Sequence, residues 1–278
     1  MQFSDSHNDF LTALAKDKHF AYLAKCEKCG VKHLLCSAFT SEMKSEDAMS
    51  FVKASALFVD GFGNKNYCLH IEDLGFAKTR KQLEEVAALR PFSCSLCWNT
   101  DNQFAGGNFG TGSLTKIGMW AIELLQKNGI MLDTAHLNKK SFYSVAKRTT
   151  LPLFCSHTGL DFVKKSPRNL SVAQAKIIID SGGYFGLFLS PTFMTKNGKM
   201  TSDTFARIVF ETMCKFGDNN FGLGSDFFGI GKPTGDIFDY PDFEKVEEKL
   251  LSFGVGKKSI DKFFCLNFER FAGKMHVQ

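Results

Sequence analysis

Proline and tryptophan are scarce in this chain, at 6 and 2 of 278 residues. With so little proline, and no stretch rich in proline, glycine and serine together, no linker divides it; no internal repeat or low-complexity tract is visible either. Charge of one sign is not in excess, since 34 basic side chains against 29 acidic ones leave +5. The basic residues come as pairs such as Lys139-Lys140 and Lys164-Lys165 rather than as a stripe, so nucleic-acid binding gains little support. No run approaches 18 consecutive apolar residues, so no membrane-spanning helix is expected. The opening MQFSDSHNDF has neither a basic leader nor an apolar signal core. Nine cysteines are odd in number and scattered, several inside apolar runs (Cys36, Cys155). They form no disulfide framework and read as reduced, buried thiols. The cytoplasm is the expected location.

What is present is a normal globular composition, 44% hydrophobic and 23% charged, with 30 phenylalanines to fill a core with flat rings. A chain of this length can bury roughly three quarters of its extended surface in one body. One domain over residues 1–278 is expected. Short apolar runs alternate with amphipathic stretches almost from end to end. The strand-like runs are Gln2–Ser6, His33–Thr40, Asn66–Ile71, Phe92–Trp98, Ile130–Ala135, Pro152–Ser156, Gly183–Leu189 and Phe221–Gly224. Helical spacing fills 12–28, 46–60, 78–89, 114–128, 139–148, 171–181 and 202–216, with start signals at Ser171 and Thr201. Asp242–Phe253 and Ser259–Phe271 read as two closing helices. Eight strands separated by helices in about 250 residues match an α/β fold of the (β/α)8 TIM-barrel type, with C-terminal closing helices, better than an open doubly wound sheet.

The ends of these strands carry the polar chemistry. The first ends in His7-Asn8-Asp9, the third in Glu72-Asp73, the fourth in Trp98-Asn99, the fifth in His136, the sixth in His157 and the eighth in Asp226. In a barrel those ends converge on one mouth. Histidine nitrogen and carboxylate oxygen there suit zinc or a similar divalent ion. His7 and Asp9, two apart, can grip one ion, Glu72 can bridge a pair with its two oxygens, and His136 and His157 can complete the second. Two such metals, about 3.5–4 Å apart, can clamp both sides of a hydrolytic transition state. His33 and His70 lie inside strand-like runs and are expected to pack or hydrogen-bond, and His19 and His276 are expected at the surface.

Several segments resemble, in order and approximate spacing, the motifs of the membrane dipeptidase (renal dipeptidase) family, peptidase family M19, among the metal-dependent amidohydrolase-like barrels. They are Asp5-Ser-His-Asn-Asp9, Ile71-Glu72, Leu132-Asp-Thr-Ala-His136, Cys155-Ser-His157, Pro167-Arg-Asn-Leu170 and Gly224-Ser-Asp226-Phe-Phe-Gly229. The similarity runs from the N-terminus to about residue 230. It implies a zinc-dependent dipeptidase that opens the peptide bond of small dipeptides with a metal-bridged hydroxide. It further implies that His7 and Asp9 hold one zinc, that His136 and His157 hold the other, and that Glu72 bridges. Arg168 would pair with the substrate's free carboxylate, a task for a planar two-donor guanidinium. Asp226 would meet the amino end and handle protons. The resemblance also allows a homodimer.

Two departures bear on substrate choice. Relatives of the mammalian enzyme end the fourth strand with a histidine that helps stabilise the tetrahedral intermediate. This chain has Ser95-Leu96-Cys97-Trp98-Asn99, so Trp98 or Asn99 is expected to meet the substrate as an uncharged donor. The chain is also shorter between Asp9 and Glu72, where loops over the mouth would be trimmed. The competing readings are a related hydrolase of another amide, ester or phosphoester, and a metal-binding barrel without catalysis. A Cys26/Cys29 and Cys94/Cys97 zinc module is disfavoured, because its pairs are far apart and Cys94 and Cys97 face opposite sides of a strand. The glycine-rich stretches Gly106–Gly112 and Gly222–Gly231 read as flexible loops at the mouth.

Overall fold

The computed structural model describes residues 1–17, 21–41, 43–231 and 235–275. Eight parallel strands, β1 (Phe3–Asn8), β2 (Val31–Phe39), β3 (Tyr67–Glu72), β4 (Ser93–Ser95), β5 (Met131–Asp133), β6 (Phe154–Thr158), β7 (Tyr184–Leu187) and β8 (Phe221–Leu223), follow one another round a closed barrel. Asp5 pairs with Leu223 to join β1 to β8. Most strand residues are buried, the polar ones of β1 and β6 included, because helices cover the outer face of the barrel while side chains fill its interior. Each run expected from the sequence overlaps one strand, although β2 begins two residues earlier than expected and β6 ends two residues later, which places His157 inside it. The first extends two residues further than expected, which places His7 inside β1.

The helices outside the barrel are α1 (Phe10–Asp17), α2 (Tyr22–Lys28), α3 (Ser45–Phe62), α4 (Arg80–Ala88), α5 (Lys116–Lys127), α6 (Lys139–Ala146), α7 (Val172–Asp180), α8 (Pro191–Met194) and α9 (Ser202–Phe216). Their starts are written in the chain. The Ser171 side chain accepts from the Gln174 backbone N–H and Gln174 reaches back, while the Thr201 hydroxyl accepts from Thr204 N–H. The stretch expected as one helix over 12–28 is instead two, and the break lets Tyr22 stack on Phe10 and take a hydrogen bond from Asn8. The short α8 and a 3-10 turn over Leu74–Phe76 are too brief to carry a period, and sequence reading missed both.

Beyond the barrel, α10 (Phe243–Ser252) and α11 (Lys257–Asp261) lead through a π-helical turn into α12 (Asn267–Met275). Phe268 and Phe271 of α12 join Phe92, Met131, Phe154 and Tyr184 in a compact cluster. Phe92 precedes β4, and the other three open β5, β6 and β7, so this aromatic plug seals the N-terminal end of the barrel. At the opposite end the backbones of β6, β7 and β8 are drawn together by glycine. A Cβ on Gly186 or Gly224 would run into the Ser156 carbonyl oxygen. The same carbonyl accepts a 2.5 Å hydrogen bond from Ser6 Oγ on β1. Gly224→Ala is therefore expected to cost about 1–3 kcal/mol by overpacking against backbone. Gly61→Ala, a helical site with no atom within 4 Å of the added carbon, is expected to stabilise by about 0.4–1 kcal/mol. Urea unfolding of the two variants checks both signs.

Candidate metal centre

The C-terminal ends of the strands bring His7, Asp9, Glu72, His136, His157 and Asp226 into one buried mouth. His7 lies near the end of β1 and Glu72 closes β3. His157 is in β6, and His136 and Asp226 lie three residues beyond β5 and β8. His136 (φ 66°) and Asp226 (φ 61°) both adopt the left-handed backbone region, an uncommon conformation that persists where the surroundings enforce it. Asp133 enforces the first, accepting the Ala135 N–H in a tight turn. Asp5 supports the second. Its carboxylate accepts from Ser225 N–H, Ser225 Oγ and Tyr240 Oη, which fastens the chain just before Asp226. Asp5 belonged to a recognised motif, yet its anchoring role links it to residues 220 and 235 positions away, and no local pattern announces that.

Glu72 divides the cluster. Its Oε1 is 2.9 Å from His136 Nε2 and 3.6 Å from His157 Nε2, whereas its Oε2 faces His7 Nε2 at 3.8 Å. His7 Nε2 is 3.2 Å from Asp9 Oδ2 and 4.0 Å from Asp226 Oδ1. Two overlapping donor groups result, His7 with Asp9 and Asp226, and His7 with Glu72 and His157, each with its ligand atoms within 4.8 Å of one another. No cysteine belongs to either group among the described residues. The donor set fits divalent cations on a further count. Asp9 Oδ1 is buried and accepts no hydrogen bond from the described residues, and such a group is costly unless something positive meets it.

Burial governs the protonation of these groups. It lifts Glu72 well above the ordinary carboxylate range, with negative Asp9 and Asp226 adding to the rise. Burial, then Asp9, pushes Asp226 up to about 8. Asp9 is raised chiefly by burial. Burial lowers His7, His136 and His157, so the imidazoles are neutral. Metal binding selects neutral imidazole, already present here, and ionised carboxylate, which these acids become by shedding a proton.

The other expected residues border this cluster. Arg168, on the loop after β6, is buried. One guanidinium nitrogen donates to the His157 carbonyl oxygen and to His136 Nε2, both at 3.0 Å, and the group stacks over Phe188. Because arginine only donates, His136 Nε2 is the bare nitrogen and its Nδ1 bears the hydrogen, given to Asn99 Oδ1 at 2.9 Å. Asn99 thus lines the mouth and also holds a histidine. Trp98 lies against Phe39 and beside His136, with ring centroids at 5.0 and 5.8 Å. Together with Phe188, Phe193 and Phe228 it walls a cavity of about 410 Å³. His70 hydrogen-bonds Ser93 and His33 meets Ser4. His19 and His276 lie outside the described residues.

The stretch Gly106–Gly112 differs from the flexible loop expected. Asp101 accepts the backbone N–H groups of Gly107, Thr111 and Gly112, and a Cβ on Gly107 would strike the Trp98 and Asn99 backbone. Glycine here permits a close approach that backs the Trp98-Asn99 segment. At pH 7, zinc uptake is expected to expel protons held by Asp226, Asp9 and Glu72, while the neutral imidazoles release none. Titration calorimetry in buffers of differing ionisation enthalpy should show about one proton or more leaving per chain. The release should shrink as the pH passes the Asp226 value of about 8.

Comparison with known proteins agrees with this geometry. Residues 67–277 match the family model "Membrane dipeptidase (Peptidase family M19)". An uncharacterised protein in the pqqA 5' region of Klebsiella pneumoniae is 30% identical over 72% of this chain and 79% of its own length. Dipeptidase verJ of Clonostachys rogersoniana is 26% identical over 57% of this chain, which spans 41% of that protein. A Rhodobacter sphaeroides metallopeptidase, solved with a phosphinate mimic of the dipeptide L-Ala-D-Ala, shares the fold at a TM-score of 0.85 and 19% identity, covering 99% of both chains. The chain belongs to the membrane dipeptidase family, peptidase family M19, the metallodipeptidases among the closed-barrel hydrolases.

Proposed function

We propose that this protein hydrolyses small dipeptides at a pair of zinc ions, or similar divalent ions, held by His7, Asp9, Glu72, His136 and His157. The observation that carries the reading is the Glu72 carboxyl, whose two oxygens face separate imidazoles within one buried cluster. Bound there, such ions supply positive charge that polarises a carbonyl and makes water a nucleophile near neutral pH. The chain's own groups do the rest. Asp226, relieved of its proton when the ions bind, can accept the proton that the attacking water gives up and pass it to the departing amine. Arg168 orients the substrate's terminal carboxylate, and the ring of Phe188 beneath its guanidinium fixes the plane of that fork. Trp98 supplies an uncharged N–H in place of a histidine, and the aromatic walls displace water from the reacting bond.

A cavity of about 410 Å³ suits a ligand of dipeptide size. The dipeptide mimic bound to the Rhodobacter sphaeroides relative supports extending the substrate range to a D-residue at the second position. Phosphoesters are disfavoured, because the described lining sets three carboxyls, Asp9, Glu72 and Asp226, against the two basic groups Lys16 and Arg168. Nine unpaired thiols support a reducing, cytoplasmic setting. No helix among the described residues is long and apolar enough to cross a membrane.

Metal analysis of the purified protein, with a panel of L-L and L-D dipeptides beside aryl phosphates, tests the reading. Chelation should abolish dipeptide turnover and zinc should restore it. Arg168→Ala should lower kcat/KM for free-carboxylate dipeptides by about 10- to 100-fold, as loss of a charged hydrogen bond does. Its discrimination against dipeptide amides should collapse; retained discrimination would remove the role given to Arg168.

A further inference from the structure

One hydroxyl lies between the two halves of the centre. Ser156, beside His157 on β6, is fully buried. Its Oγ is 2.5 Å from Asp133 Oδ2, 2.8 Å from His157 Nδ1 and 3.3 Å from His7 Nδ1. Asp133 is equally buried, at the end of β5, and its Oδ1 already accepts the backbone N–H groups of Ala135 and Ser156. A serine has one hydrogen to give, and a carboxylate oxygen can only accept. The Ser156 hydrogen therefore goes to Asp133, which leaves Oγ as an acceptor towards both histidines. Each histidine must then carry a hydrogen on Nδ1, and its Nε2, which in the metal-free chain faces Asp9 Oδ2 at 3.2 Å (His7) or His136 Nε2 at 3.1 Å (His157), is left to meet a cation. His7 and His157 stack with ring centroids 3.6 Å apart, so one oxygen can serve both. Ser156 and Asp133 fall within motifs that carried the resemblance, but neither is a ligand or meets substrate.

We infer that the Asp133–Ser156 pair is a shared positioning device that fixes the tautomer and ring orientation of one histidine from each metal site, so that the two sites bind as a coupled pair. This rests on reading His7 and His157 as ligands of different ions. Histidine ligands generally need a partner for their second nitrogen, and losing it weakens metal binding by roughly 10- to 100-fold. The pattern predicts a contrast. Ser156→Ala removes the partner of two ligands on two ions, whereas Asn99→Ala removes the partner of His136 alone.

The test uses the full chain, metal-free and then titrated with zinc against a competing chelator, with cobalt absorption spectra alongside. Both zinc equivalents should weaken by roughly 10- to 100-fold in Ser156→Ala and one in Asn99→Ala. The metal-free wild-type protein with nitrogen-15-labelled histidine should show the hydrogen on Nδ1 of both His7 and His157 by NMR. That measurement is independent of whether Ser156→Ala folds. Wild-type affinity for either zinc in a folded Ser156→Ala protein, or an Nδ1 without a hydrogen on either histidine in the metal-free wild type, would overturn the inference. Wild-type protein that takes up no zinc would overturn the metal-centre reading itself, and the inference with it.

Discussion

The Glu72 carboxyl stands between His7 on one side and His136 with His157 on the other, and the mouth of the barrel is arranged around that position. Three carboxyls and three imidazoles are gathered where water is largely excluded. Such a group of acids keeps its charge only when something positive is at hand. Protons can fill that need, which is why Asp226 and Glu72 titrate so far above their usual range. Cations fill it better, because the neutral imidazoles then contribute lone pairs as well.

The surrounding scaffold supplies orientation rather than charge. Asp5, Asp133 and Asp101 each spend a carboxylate on nearby N–H and O–H groups, and each fixes a segment that carries a site residue. Asp5 secures the approach to Asp226, Asp133 the turn into His136, and Asp101 the loop behind Trp98 and Asn99. The unusual backbone at His136 and Asp226 survives because these bonds fasten the residue just before each, Ala135 and Ser225. The close packing at Gly186 and Gly224 brings β1 and β6 near enough for Ser6 to bond across the barrel.

Much of this was legible in the chain because a parallel barrel buries its strands on both faces. A strand then reads as an apolar run, and a histidine or carboxylate at its end stands out, as His7, Glu72, His136, His157 and Asp226 did. Boundaries were less exact where nothing in the sequence marks them, as at the break between α1 and α2. The supporting bonds were hidden for a different reason. Ser156 meets His7 across 149 positions and Asn99 meets His136 across 37. No spacing rule reaches that far, so the bond between Asn99 and His136 went unread and Gly106–Gly112 read as a slack loop.

The aromatic plug at the far end of the barrel governs traffic. Phe268 and Phe271 press on Phe154 and Tyr184 and stop that end. Among the described residues the barrel is closed at that end, so entrance and exit share the mouth. Each cleaved half must back out past Trp98 and Phe193 before another molecule can take its place, and fragments that cling to those rings compete directly with the next arrival.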